Sequence, residues 1–161
     1  ERLTGANALS IISQYDVVAD GCDNFETRFL VNDACYFARV PLVSAAVGRF
    51  EGQVATFRAF ERDAEGKPKP NYRDFIGEAP PPGAIPACEE AGVLGALTGV
   101  VGSLMALEVI KEITGAGTSL AGRLLIYDAL ETRFRTLTLK WDPKNPLTGE
   151  NPTIRDLSGH R

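Results

Sequence analysis

Hydrophobic positions along the chain change period several times, and each change marks a predicted element. Leu9, Ile11 and Ile12 within Ala6–Gln14 fit a short helix leading into an apolar strand at Asp16–Ala19. That strand ends abruptly in the polar, glycine-containing run Asp20-Gly-Cys-Asp-Asn24. From Phe25 to Arg39 the apolar residues Leu30, Val31, Ala34, Cys35, Phe37 and Ala38 recur at intervals of three and four, the period of a helix that buries one face. Pro41 stops this helix, because proline lacks a backbone N–H and clashes with the preceding turn. Leu42–Val47 and Gln53–Phe57 read as two strands joined around Gly48–Gly52, a connection that allows a hairpin but no crossover helix. The predicted sheet therefore starts parallel, as a strand-helix-strand unit over Asp16–Val47, and then turns antiparallel.

Glu61–Glu90 follows neither period and holds most of the prolines, so it reads as an extended excursion. Gly92–Thr114 is a predicted helix with small residues at Gly95, Gly99, Gly102 and Ala106, closed by Gly115 as a C-cap. Its uncharged run from Ala91 to Leu107 is at the short edge of membrane-spanning length, but charged residues bracket it and helical periodicity continues past it. A buried central helix is the expectation, with the glycines allowing close approach to the sheet or to a second subunit. Gly122–Tyr127 and Phe134–Lys140 read as another antiparallel pair, and residues 141–161 as a polar tail. The fold class is α/β in one domain, with a mixed sheet, and no internal repeat is visible.

Composition narrows the function classes. A net charge of −4 provides no basic face for nucleic acid. Three widely spaced cysteines, Cys22, Cys35 and Cys88, without a CxxC pair argue for a reducing compartment rather than a disulfide framework. The single histidine, His160, lies in the tail, which argues against a Ser-His-Asp or Cys-His mechanism. Glu1-Arg2-Leu3-Thr4 lacks the features of a signal peptide, so the expected location is cytoplasmic. A chain that starts there, without an initiating methionine, reads as cut.

In open α/β sheets ligands sit beyond the carboxyl ends of the strands, which singles out Asp20, Asp23 and Asn24. Asp23 followed by Glu26 also has the spacing of an N-terminal capping box. A cap and a metal ligand both need a carboxylate at a strand-to-helix turn, so the two roles are compatible.

Several collinear stretches resemble the MoeB/ThiF family, relatives of the ubiquitin-activating enzymes. They are Asp16-Val-Val-Ala-Asp-Gly-Cys-Asp-Asn-Phe-Glu-Thr-Arg28, Asn32-Asp-Ala-Cys35, Pro41-Leu-Val-Ser-Ala-Ala-Val-Gly48 with Gly52-Gln53, and Pro70-Asn-Tyr-Arg-Asp-Phe75. Further matches are Pro86–Gly95, Glu108-Val-Ile-Lys111 and Gly122–Leu130. The resemblance implies a Rossmann-like mixed sheet, with residues 1–140 as the C-terminal portion of an adenylation domain and 61–90 as its extended loop. It implies ATP-dependent adenylylation of the C-terminal glycine of a ubiquitin-like sulfur carrier ending in Gly-Gly, in molybdopterin or thiamin biosynthesis, by a homodimer.

Carried over by position, Asp23 serves Mg-ATP and the adenylate, Asn24 stands beside it, and Asp20 is a weaker candidate on the same turn. Cys88 matches the place where some members keep a thiol that joins the carrier covalently or handles sulfur; an inert thiol is the alternative. Cys22 and Cys35 read as core residues. Arg28 is expected in a helix-surface ion pair or against the carrier tail. Arg73 and Asp74 are expected to gate a channel or to sit in a solvated loop. Many members hold zinc with two CxxC pairs, but the corresponding stretches here are Asn71-Tyr-Arg-Asp74 and Asp142-Pro-Lys-Asn145, so no zinc is expected. The family's glycine-rich phosphate loop would precede residue 1, so this chain alone is expected to be inactive. A non-catalytic module that docks a carrier or a partner subunit is the alternative reading.

Overall fold

The structure, a computed structural model, describes residues 1–81 and 92–160. Its elements are α1 (Ala8–Ile12), β1 (Val18–Asp20), α2 (Phe25–Ala38), β2 (Leu42–Val47) and β3 (Glu51–Phe57), then α3 (Tyr72–Ile76), α4 (Gly95–Thr114), β4 (Arg123–Asp128) and β5 (Arg133–Thr138). The strands form one sheet in the order β1-β2-β3-β4-β5, with β1 parallel to β2 and every other pair antiparallel. This is the mixed sheet that the periodicity predicts. The α3 turn was not anticipated, because five residues are too few to display a helical period.

Alternating side chains divide the core between the two faces of the sheet. On one face Leu42, Ala55, Phe57 and Leu124 pack with α1 and α2 through Ala8, Ile12, Leu30 and Ala34. On the other, Val43, Ala45 and Val54 pack with Leu97 and Val101 of α4. Helix α2 ends at Ala38, where Arg39 takes the left-handed conformation and its N–H bonds back to the Cys35 and Tyr36 carbonyls. Termination is thus complete two residues before Pro41 becomes relevant.

Helix α4 corrects the expectation of a buried central helix. Only Leu97, Val101 and Glu108 are buried, whereas Leu107, Ile110 and Ile113 are 56%, 53% and 64% exposed. Its glycines do not bring it close to the sheet either, since a Cβ added at Gly95, Gly99 or Gly102 would meet nothing within 4 Å among the described residues. The close approach is made from the sheet side, where a Cβ on Gly52 would fall 2.2 Å from Val101 Cγ2. No described helix is long and apolar enough to cross a membrane.

Residues 141–160 are polar in composition but packed against the domain. Leu147 and Leu157 are buried, the Trp141 indole donates to the Thr148 carbonyl at 3.1 Å, and Gly5 lies so near the Leu157 and His160 carbonyls that a Cβ would come within 2.4 and 2.7 Å of them.

Candidate functional site

The carboxyl end of β1 turns through Gly21, Cys22 and Asp23 into α2. Asn24, with extended backbone, caps that helix by accepting the Thr27 N–H on Oδ1 at 2.8 Å. The cap is therefore Asn24 and not Asp23, which leaves the Asp23 carboxylate outside the helix start. Its one described contact is with Asn24 Nδ2 at 3.4 Å.

Asp23, Asn24 and Arg28 line one side of a cavity of about 710 Å³. The pairing of the strands explains its floor. Ala46 lies opposite Gln53, Gln53 opposite Ile126, and Ile126 opposite Arg135, so one row of residues crosses four strands, and all four line the cavity. Tyr72, Phe75 and Ile76 of the unanticipated α3 form an apolar wall beside that floor. The result is a mostly apolar groove with a carboxylate and an amide at one side.

Asp20 is placed differently from its neighbours. It is 6% exposed and does not line the cavity; its Oδ1 accepts the Cys22 N–H at 2.9 Å, and its Oδ2 has no partner among the described residues. In register it lies opposite Ser44 inside the sheet, whereas Asp23 stands three residues beyond the strand end. Arg28 makes no ion pair among the described residues. Its guanidinium donates to the Cys22 carbonyl and lies near Tyr72, where it pulls the phenol pKa down against a larger rise from burial.

Arg73 and Asp74 do not face the cavity. Arg73 donates from Nε and NH2 to the two oxygens of Asp33 at 2.8 and 2.7 Å and stands over the Phe29 ring. Asp33 is fully buried, and it also bonds His160 Nε2 at 2.8 Å and Asn32 Nδ2 at 3.0 Å. Burial pushes the Asp33 carboxyl up, but the bonds from His160 and Arg73 outweigh it and hold the group below the usual carboxylate range. Sequence reasoning missed this hub; its signal is the polar pair Asn32-Asp33 in the middle of an apolar helix. Asp74 instead completes a capping box, accepting the Asn71 N–H at 2.7 Å, and its other oxygen accepts the Asp142 N–H at 2.8 Å. Asn71 donates to Thr148 Oγ1 at 3.0 Å. The stretches 71–74 and 142–148 are thus tied together by hydrogen bonds.

Cys35 is buried in the core as expected, while Cys22 is half-buried at the strand end. Burial pushes both thiols up to about 12, with Asp20 adding to the rise, so neither is a nucleophile at neutral pH. Cys88 lies outside the described residues.

Fold and site together define an α/β domain of Rossmann type, with a carboxylate-bearing turn at the end of its parallel strand opening into a groove on the sheet. The same architecture is seen in E. coli MccB, which aligns with a TM-score of 0.64 over 89% of this chain and 43% of MccB, at 14% identity. The chain belongs to the ThiF family, which it matches over residues 1–148. It is 51% identical over 156 residues to the "Sulfur carrier protein adenylyltransferase" of Thermus thermophilus, covering 97% of this chain and 57% of that protein. It is 50% identical over 145 residues to the "Probable adenylyltransferase/sulfurtransferase MoeZ" of Mycobacterium tuberculosis, covering 90% and 36%. Against the bovine "Adenylyltransferase and sulfurtransferase MOCS3" the identity is 45%, covering 99% and 34%. The chain therefore spans between about one third and three fifths of the length of these relatives.

Proposed function

We propose that the full-length protein uses ATP to adenylylate the C-terminal glycine of a ubiquitin-like sulfur carrier, and that this chain contributes the Asp23–Asn24 side of the site. The observation that carries the reading is the groove itself. A floor of Ala46, Gln53 and Ile126 across the sheet, with Gly48 beside it, leaves room for an extended peptide backbone, and its inner side bears a carboxylate that makes no salt bridge among the described residues. The family membership and the names of the relatives supply the reaction class.

In that reaction a carrier carboxylate oxygen attacks the α-phosphorus of ATP. An acyl–phosphate bond forms, the bond between the α-phosphorus and the bridging oxygen breaks, and pyrophosphate leaves with the electron pair. Three negatively charged groups meet in this step, so charge neutralisation governs its rate. Magnesium, when bound, supplies that neutralisation. It is typically held by one or two carboxylates together with substrate phosphates. Asp23 fits this role, since its carboxylate is uncommitted. Among the described residues no group of three or more His, Cys, Asp and Glu side chains could hold a metal, so a self-contained protein cage is not part of the reading. Asn24 holds the turn through its cap while Phe75 and Ile76 keep the groove apolar around the tail. The phosphate-binding groups come from the portion of the longer relatives that this chain does not span. The exposed apolar stripe of α4 supports a homodimer through that helix.

Incubating the full-length protein with ATP, Mg²⁺ and a Gly-Gly-ending ubiquitin-like carrier should yield a carrier bearing AMP at its C-terminus, read by intact-mass spectrometry. An adduct on a carrier truncated by its two glycines, or none on the intact carrier, contradicts the proposal.

A further inference from the structure

The backbone of one residue in the strand-end turn is held on both sides, at its N–H and at its carbonyl. Asp20, buried beneath the turn, accepts the Cys22 N–H through a charge-assisted bond of 2.9 Å, and Arg28, one turn into α2, donates to the carbonyl of the same residue. The Arg28 guanidinium also lies near Tyr72, which is itself buried against Phe29, Phe57 and Phe75. The turn is thereby fastened to the strand end below it and to α2 beside it. Asp23 follows directly, and among the described residues its own side chain has no fastening beyond the 3.4 Å contact to Asn24.

We propose that Asp20 and Arg28 are positioning residues for Asp23: they clamp the Cys22 backbone so that the next carboxylate projects into the cavity at a fixed place. This assignment rests on the adenylylation reading for its consequences in catalysis, although the clamp itself is a property of the turn. A buried carboxylate with one oxygen unpartnered is costly, and an interior strand position has no need of it for packing. The clamp gives that carboxylate a role: it provides the anionic acceptor for a backbone N–H that would otherwise be unsatisfied after the chain leaves the sheet. Lysine at position 28 would keep the charge but lose the planar fork that donates to the Cys22 carbonyl.

The test uses the full-length protein with Arg28→Lys and Asp20→Asn. Amide hydrogen exchange at Gly21–Asn24 should rise about 10-fold or more in both variants, while the amides of Ala34 and Cys35 in α2 stay protected. In ATP–pyrophosphate exchange with the Gly-Gly carrier, Arg28→Lys should lower kcat by about 10- to 100-fold, the scale of a misplacement near 1 Å. In an Asp23→Asn background the same substitution should add less than about 2-fold, because a residue that acts through Asp23 has nothing left to position. Unchanged amide exchange in the turn, an unchanged kcat, or a fully additive loss in the double variant overturns the proposal. A loss that spreads to the α2 core amides also overturns it, since that is the mark of a merely structural role. If Asp20→Asn does not fold, Arg28→Lys alone decides. A wild-type protein that shows no pyrophosphate exchange sinks the adenylylation reading instead, and the amide measurement still judges the clamp.

Discussion

Helices α2 and α4 lie on opposite faces of one sheet and are buried by opposite means. α2 carries the polar pair Asn32 and Asp33, yet seven consecutive residues from Phe29 to Cys35 are buried. α4 is the more apolar helix, yet Leu107, Ile110 and Ile113 face outward. Its attachment to the domain depends in part on two carboxylates. Glu108 accepts the Leu120 N–H at 3.2 Å, and Glu112, with a side chain only 2% exposed, binds Arg58 and Ser119 at 2.5 Å each. What surrounds a helix decides its burial more than its own hydropathy does. α2 is enclosed because α1, α3 and the returning tail close over it, and Asp33 is the point to which α3 and the tail are tied.

The contrast can be broken most severely at Asp33. Asp33→Ala leaves Arg73 and His160 without their shared acceptor and should destabilise the fold by about 3–5 kcal/mol, measured by denaturant unfolding. A loss below 1 kcal/mol would mean the hub does not hold the enclosure together. The same group sets a pH dependence. Its folded value is depressed, so its stabilisation is complete above the unfolded aspartate value of about 3.9 and is lost as pH falls through the folded value. Acid unfolding of the wild type should therefore steepen below about pH 4, and that component should be absent from Asp33→Ala.

The next largest effect belongs to the α4 face. Gly52→Ala places a methyl 2.2 Å from the stiff Val101 side chain and should cost about 1–3 kcal/mol, with Val101→Ala in the same protein recovering part of the loss. Equal costs with and without Val101→Ala would show that the approach is not the cause. Removing the cap by Asn24→Ala should cost about 1 kcal/mol at the start of α2. The smallest effect on the fold of a single chain is expected on the open stripe, where Ile113→Ser should change monomer stability by no more than about 0.5 kcal/mol while weakening the proposed homodimer; an unchanged dimer in sedimentation would contradict pairing through this face.

Much of the fold was legible because sheets and amphipathic helices announce their periods. The strand pairs and α2 follow from alternation and from three-four spacing, and their boundaries agree to within two residues. What escaped did so for physical reasons. α3 is little more than one helical turn, too short for a hydrophobic period to repeat, and its trace in the sequence is the Asn71…Asp74 capping spacing, which is also common in loops. The cap moved from Asp23 to Asn24 because both residue types accept a backbone N–H, and only the chain's exit angle from β1 decides between them. Asp20 was grouped with Asp23 by nearness along the chain, whereas the register with Ser44 keeps it inside the sheet. The exposed face of α4 was invisible because composition alone does not say on which side of a helix the sheet lies. Of the residues expected at the site, Asp23 and Asn24 both line the groove; its row of floor residues depends on strand register, which no single segment encodes.

The groove, and Asp23 within it, is the point on which the functional account stands. The most direct measurement is ATP–pyrophosphate exchange by the full-length protein with a Gly-Gly-ending carrier, comparing wild type with Asp23→Ala. The account predicts carrier-dependent exchange in the wild type and a loss of at least about 100-fold in the variant, the scale for removing a group that stabilises developing charge. Exchange that proceeds equally in both proteins would contradict it.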